Sequence, residues 1–151
     1  MILTDQIKEM QKYGMSFGSH SLSHQYLSRI PIKDAIKELQ DSKNTLQDKL
    51  GVEIKSFSFP YGDWNRQLYD EALKVGYSDI YNSKHGLIND GMFPLPRNSI
   101  NSSMDWPTIR KIMYPNMIIR CKWSIEDNMK SLIKNLIGFD KYRELRTKLF
   151  K

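Results

Sequence analysis

Stretches with helical periodicity alternate along this chain with short apolar stretches of strand length, and that alternation restricts it to few architectures. The clearest helix runs from Pro31 to Leu50. Ile32, Ile36, Leu39, Leu46 and Leu50 fall on one stripe, Pro31 suits the first turn, and Gly51 ends the run. Before it, "MILTDQIKEMQKYG" places Ile2, Ile7 and Met10 on an apolar side, with Thr4 or Asp5 as cap and Gly14 as stop. "MSFGSH", "IKSFSFP" and "YSDIYNS" have strand length, and "MFPLPRNSI" is a short extended piece in a loop-rich region over 84–105. Between them, Asp63 or Asn65 can cap a helix in which Leu68, Ala72, Leu73 and Val75 are apolar and Gly76 is the end. Asp105 can cap a helix through Tyr114, and two closing helices, about 125–137 and 139–150, meet at Gly138. Helices alternating with short strands predict an α/β fold with a mostly parallel sheet. In such folds the reactive groups sit where strands give way to loops at their C-terminal ends.

Composition excludes several classes. No apolar run approaches the ~18 residues of a membrane span, and the 40% hydrophobic and 26% charged content is that of an ordinary globular chain. The N-terminus lacks the basic start, apolar stretch and small-residue cleavage site of a signal peptide, and the compartment is left open. Cys121 is the lone cysteine, so no internal disulfide forms, and it reads as a packed or passive thiol. The net charge of +6 is concentrated near the C-terminus. There, in "KYRELRTKLFK", Tyr142, Leu145 and Leu149 make an apolar stripe and the basic residues a solvated face. No nucleic-acid motif accompanies that charge. A membrane-surface role for this helix is a more distant reading.

Two motifs begin at predicted strand ends. In "SFGSHSLSHQYL", His20 and His24 are four residues apart. Neutral imidazole is the commonest side-chain ligand of zinc, and this spacing on a helical turn lets two rings reach one ion. Spacing alone favours two structural or surface residues over a ligand pair, and no H-E-x-x-H supplies a protease base. In "SFPYGDWN", Pro60 fixes a strand exit and Gly62 allows a tight turn into a helix cap. A functional alternative has the Tyr61 backbone N–H facing a developing oxyanion and Trp64 walling a sugar-binding cleft.

Together and in this order, His20-Ser21-Leu22-Ser23-His24 and Phe59-Pro60-Tyr61-Gly62, followed by "LPRNSI", resemble the polysaccharide deacetylase superfamily, the NodB-homology domain of carbohydrate esterase family four. The resemblance runs from about residue 2 to 112. It implies a distorted (β/α) barrel with a divalent metal, commonly zinc, at the C-terminal mouth of the strands. It implies hydrolysis of an N-acetyl (or O-acetyl) group on a carbohydrate, with acetate and a free amino sugar as products of N-deacetylation. Carried over residue by residue, His20 and His24 match the metal ligands. Tyr61 matches the oxyanion position through its backbone N–H. Pro60 and Gly62 shape that turn, and with Tyr61 and Trp64 they line the substrate. Ser58 stands where many members carry an arginine that orients the catalytic base. Arg97 is placed to substitute for it, or to serve as a surface salt-bridge partner.

The sequence departs from that pattern in two places. The family's Thr-Phe-Asp-Asp segment, source of the base and the third protein ligand, has no counterpart, and no Asp-Asp pair occurs anywhere in the chain. The late general-acid histidine is also not evident; His85, in "SKHGLIND", comes too early and reads as an exposed loop residue. A full barrel takes ~250 residues. The expectation is therefore a partial, N-terminally truncated barrel over 1–121 with a helical extension over 122–151. Completion by another chain, or self-association through uncovered sheet edges, follows from that. The alternative function is a non-catalytic carbohydrate-binding or scaffold module in which Tyr61, Trp64 and Trp106 stack on sugar faces.

Overall fold

The computed structural model describes residues 4–89, 91–138, 141, 142, 144, 145 and 148. By internal contacts the chain divides into two units, residues 1–83 with 87–97, and residues 84–86 with 98–151.

The first unit is organised on two parallel strands, β1 (Ser56–Ser58) and β2 (Asp79–Tyr81), with Ser56 opposite Asp79, Phe57 opposite Ile80 and Ser58 opposite Tyr81. The two other strand-like stretches join as single-residue bridges, Ser19 to Phe57 on one side and Leu95 to Tyr81 on the other. The first is shorter than its strand-length pattern predicts, and the second is the short extended piece expected in a loop-rich region. Gly18 lies so close to the neighbouring strand that a Cβ there would meet the Cβ and the carbonyl oxygen of Ser56 at 2.9 Å. Leu95 is flanked by Pro94 and Pro96, which have no N–H to give a ladder. Leu95 bonds to the Ile80 carbonyl at 2.7 Å, and its own carbonyl accepts the Asn82 N–H at 2.9 Å.

Helices pack on this sheet through the stripes that periodicity marks. The first is α1 (Thr4–Lys12), from which Ile7 packs against the core; Ile2 lies outside the described residues. The second, α2 (Ile32–Leu50), buries Ala35, Leu39 and Leu50 and ends at Gly51. The third, α3 (Arg66–Lys74), is capped by Asn65, whose side chain accepts the Leu68 N–H at 2.9 Å; it buries Leu68, Tyr69 and Ala72. Leu73, read from its pattern as apolar face, is 43% exposed because it falls on the far side of α3 from Leu68 and Ala72. Phe57, Phe59, Ile54, Tyr77 and Ile80 complete the core, with the Phe57 ring 5.1 Å from Phe59 and 5.0 Å from Tyr77.

Ser19, Ser42, Tyr77 and Lys43 are polar residues of this core whose side chains are paired. Ser19 Oγ donates to Ser42 Oγ at 2.8 Å, while Ser42 Oγ and the Tyr77 hydroxyl each donate to the Leu39 carbonyl at 3.0 Å. Burial, the largest influence, pushes the Tyr77 phenol up and keeps it neutral. Lys43, buried on α2, donates to the Val75 and Gly76 carbonyls at 3.2 and 2.6 Å, where α3 ends and its partial negative charge collects.

In the second unit, α4 (Trp106–Met113) is capped by Asp105, whose carboxylate accepts the Thr108 N–H at 3.0 Å. The next helix, α5 (Met117–Ile137), begins eight residues before the expected start at 125. Pro115 stops the preceding helix, and Asn116 then caps α5 by accepting the Ile119 N–H at 3.0 Å. Of the expected helix over 139–150, most lies outside the described residues, Leu149 of its stripe included. Two further expectations are corrected here. Cys121 is exposed rather than packed. His85 is not an exposed loop residue: its Nδ1 lies 3.1 Å from Asp127 Oδ1, its N–H donates to Oδ2 at 2.9 Å, and its ring stacks on Trp123. A carboxylate on α5 thus holds the 84–86 segment from two directions. Among the described residues no helix is long and apolar enough to cross a membrane.

Phe57 sits at the middle of β1, opposite Ile80, with its ring against those of Phe59 and Tyr77. Phe57→Ala is expected to lower unfolding stability by about 3–5 kcal/mol, read from the urea midpoint at unchanged slope.

Candidate functional site

The end of β1 holds two loops together. The first leaves the sheet edge after Ser19, whose N–H donates to the Ser56 carbonyl at 2.8 Å and whose carbonyl accepts the Ser58 N–H at 3.0 Å. The next residue, His20, places Nδ1 2.6 Å from the Ser58 carbonyl. A carbonyl only accepts, so Nδ1 carries the proton, and in the neutral ring the lone pair is on Nε2. Burial is the main influence pushing the His20 pKa down. The Ser58 bond opposes it, and the charges of His24 and Arg97 add to the lowering. The neutral ring is the form that can ligate a metal. Ser58 contributes a second feature, a buried Oγ with no hydrogen-bond partner among the described residues.

His24 is brought to His20 by a loop in unusual conformations. Ser21 and His24 both have positive φ, 66° and 57°, as does Tyr61 on the facing turn, 58°. Each such non-glycine residue costs on the order of 1–3 kcal/mol and persists only where its surroundings over-determine it. Here they do. Ser21 Oγ accepts the His24 N–H at 3.0 Å. From α2, the Glu38 carboxylate accepts the N–H groups of Leu22 and Ser23 at 2.9 Å and the Ser23 hydroxyl at 2.6 Å. Burial pushes the Glu38 carboxyl up, but these bonds outweigh it and hold the group below the usual glutamate value.

The second loop is the turn Pro60–Gly62. Its backbone bonds run from Gly62 N–H to the Phe59 carbonyl and from Asp63 N–H to the Pro60 carbonyl, and neither uses the Tyr61 N–H. Only glycine fits at position 62: φ is +64°, and a Cβ would meet Ser83 Cβ at 2.6 Å and Ser83 N at 2.8 Å. Asp63, a candidate cap by sequence, instead accepts the Ser28 hydroxyl and lies 3.9 Å from Arg29, tying this turn to the short turn Leu27–Arg29.

The structure therefore brings His20, His24 and Tyr61 together. The histidine rings are 4.8 Å apart, edge to face, and His24 meets the Tyr61 ring at 4.7 Å. Tyr26, which sequence reasoning passed over, stacks on Tyr61 at 3.9 Å, and the Arg29 guanidinium lies 5.6 Å from the Tyr26 ring. Pro60 is buried beneath the turn. Trp64 is half-buried, its ring 6.5 Å from Phe59 and 6.3 Å from Tyr69. Arg97 is exposed and acts on His20 through its charge, and Trp106 belongs to the second unit. Glu38 was also missed, because nothing local in α2 marks which of its polar residues faces the loop. For Tyr26 the only signal was an aromatic two residues after His24.

Two imidazoles supply part of a zinc shell, which takes three or four protein ligands. Among the described residues no group of three or more His, Cys, Asp or Glu side chains is placed to hold a metal. The pair fits as a half-site and no more.

The polysaccharide deacetylase family model matches residues 3–80, and the chain belongs to that family. It is similar to YxkH of Bacillus subtilis (strain 168), whose name assigns it provisionally to the polysaccharide deacetylases. The two are 28% identical over 102 residues, covering 66% of this chain and 37% of YxkH. It is 34% identical over 72 residues to the peptidoglycan-N-acetylmuramic acid deacetylase PdaC of the same strain, covering 47% of this chain and 15% of PdaC. Among solved structures it resembles the Streptococcus pyogenes deacetylase PplD, determined with acetate. That likeness has a TM-score of 0.69 and 26% identity over 76% of this chain and 51% of PplD. The fold is thus an α/β fold of the polysaccharide deacetylase type, present in part. The chain spans about half the length of PplD, and less of the two curated relatives.

The Glu38 clamp has a pH signature. A carboxyl whose folded pKa is depressed stabilises the fold above its ordinary range, and the contribution is lost as pH falls through the folded value. Glu38→Gln is expected to be less stable than the parent by under ~1 kcal/mol at neutral pH. The gap should close in acid. Paired thermal melts at the two pH values check it, and a gap that persists in acid would exclude the ionised clamp.

Proposed function

We propose that this chain supplies the two-histidine and oxyanion portion of a metal-dependent carbohydrate deacetylase that removes acetyl groups from an N-acetylated (or O-acetylated) glycan. The observation that supports this most directly is the His20 Nδ1 contact with the Ser58 carbonyl, 2.6 Å, with the His24 ring 4.8 Å away beside the Tyr61 turn. A hydrogen bond from the ring nitrogen away from the ligand is how proteins orient imidazole toward a metal. His20 and His24 would hold the ion, most simply zinc. When bound, such an ion lowers the pKa of water and polarises a carbonyl. On the protein side, Pro60 and Gly62 set a turn from which the Tyr61 N–H can donate to oxygen as negative charge develops. Tyr61, 39% exposed, presents its ring with Tyr26 as an apolar face for a pyranose, and Trp64 backs the turn. Arg97 adds positive charge near His20. PdaC, by its name, acts on an acetylated amino sugar of peptidoglycan, which is consistent with this substrate class.

The described residues offer the pair no carboxylate, so the base and the remaining ligands are proposed to come from another segment or another chain. That same observation, with the stacked Tyr26 and Tyr61 rings, supports a second reading: a carbohydrate-binding module that keeps the cleft without catalysis.

Zinc titration by calorimetry, with the His20→Ala/His24→Ala double variant alongside, separates the two. The first reading expects near-stoichiometric binding that the variant weakens by roughly 100-fold or more, and zinc-dependent acetate release from an N-acetylated oligosaccharide once the completing part is present. Glycan binding that survives both EDTA and the double variant would support the binding module instead.

A further inference from the structure

An amphipathic surface helix ordinarily turns its apolar stripe toward the body of its domain. Helix α5 does the opposite. Ile118, Lys122, Ile125, Met129, Leu132 and Leu136 recur at intervals of four, three, four, three and four residues, the 3.5-residue repeat of a coiled-coil seam. At about 100° per residue they fall within a band roughly 80° wide. Its apolar members are exposed, Ile118 by 77%, Ile125 by 59% and Leu136 by 78%. The face that is covered lies opposite. Trp123 and Asp127 there hold His85, and Lys134 there lies 5.4 Å from the Tyr142 ring. A contiguous apolar row of this kind on a protein surface marks a binding face.

We infer that this stripe is the contact by which α5 pairs with α5 of a second copy of the chain, antiparallel, in a two-fold dimer. Three observations choose this occupant. First, the stripe is its own complement when reversed: residue 118 falls opposite 136, residue 122 opposite 132, and residue 125 opposite 129. One two-fold axis near residue 127 satisfies every layer, as an isologous interface requires. Second, Lys122 is the one charged member. A parallel in-register pair stacks it on its own copy, whereas the antiparallel pair sets it against Leu132 and lets the ammonium stay at the rim, 3.8 Å from Glu126 Oε1. A single lysine in such a seam selects register at some cost in stability. Third, the stripe suits a lipid surface poorly. It is narrow, has no aromatic residue and carries a lysine at its second position, while the helix's Trp123 is on the other face. This contact involves neither the sheet edges nor the histidine pair.

The test is sedimentation equilibrium of the full chain over a wide concentration range. A reversible dimer is expected, with Ile125→Glu weakening it at least tenfold while circular dichroism, and melting at concentrations where both proteins are monomeric, stay unchanged, since the side chain is exposed in the monomer. Orientation is read by oxidative cross-linking in a Cys121→Ser background. Ile125→Cys mixed with Met129→Cys should give the mixed disulfide in preference to either homodimer. A monomer at every concentration, or a dimer indifferent to Ile125→Glu, overturns the proposal. Preferential Ile125→Cys homodimers overturn the antiparallel pairing. A monomer that floats with phosphatidylserine-containing vesicles, and loses that on Ile125→Glu, overturns it in favour of a lipid surface.

Discussion

Strand β1 is three residues long, and the rest of the first unit depends on how it is held. Phe57, at its middle, is fixed by Phe59, Tyr77 and the pairing with Ile80. With the strand so anchored, Ser58 is committed at both of its backbone groups. Its N–H donates to the Ser19 carbonyl, and its own carbonyl takes the proton of His20 Nδ1. One residue further, the Phe59 N–H donates to the Tyr81 carbonyl at 3.0 Å, which sets the origin of the Pro60–Gly62 turn. The orientation of the first histidine and the position of the Pro60–Gly62 turn thus derive from the same few backbone bonds. In a sheet this narrow there is no redundancy: a shift of β1 by one residue would turn Phe57 out of the core and move both loops at once.

What keeps the site loops in place is polar, and comes from outside the sheet. A loop that holds Ser21 and His24 at positive φ needs external bonds to stay there, and Glu38 supplies three of them from α2. The turn at Tyr61 is held in turn by Asp63, bonded to Ser28 and near Arg29. Strain of this sort collects where geometry serves a ligand. It falls here on His24 of the pair itself, on Ser21 between the two histidines and on Tyr61, while the helices and strands around them are regular.

Much of this was legible in the sequence where the physics is local. The stripe of α2 and its end at Gly51, the Asp105 cap of α4, and the core positions Leu39, Leu68 and Ala72 follow from periodicity and capping alone. The errors arose where a non-local contact overrides a local pattern. "MSFGSH" looks like a strand, yet it joins the sheet by the single bridge at Ser19, next to the close approach of Gly18 to Ser56. His85 is the loop residue it looks like, but its partial burial was not legible because its partner, Asp127, is 42 residues away. α5 was started too late because its first turns are apolar on a face that the fold leaves uncovered, so burial gave no boundary and only the Asn116 cap did.

For the site, the sequence by itself determined the chemical inventory: two histidines four apart, a Pro-Tyr-Gly turn, and membership of a family whose motifs are these. It could do so because residue identity and short spacing are carried by the chain directly. The tertiary structure alone decided that the two motifs meet, since 37 residues separate His24 from Tyr61 and only the β1 edge brings their rings within 4.7 Å. It also decided which nitrogen of His20 is left open, because the acceptor is a carbonyl on another strand. Glu38 and Tyr26 joined the site for the same reason: hydrogen bonds and ring stacking depend on distance in space, which the order of residues does not specify.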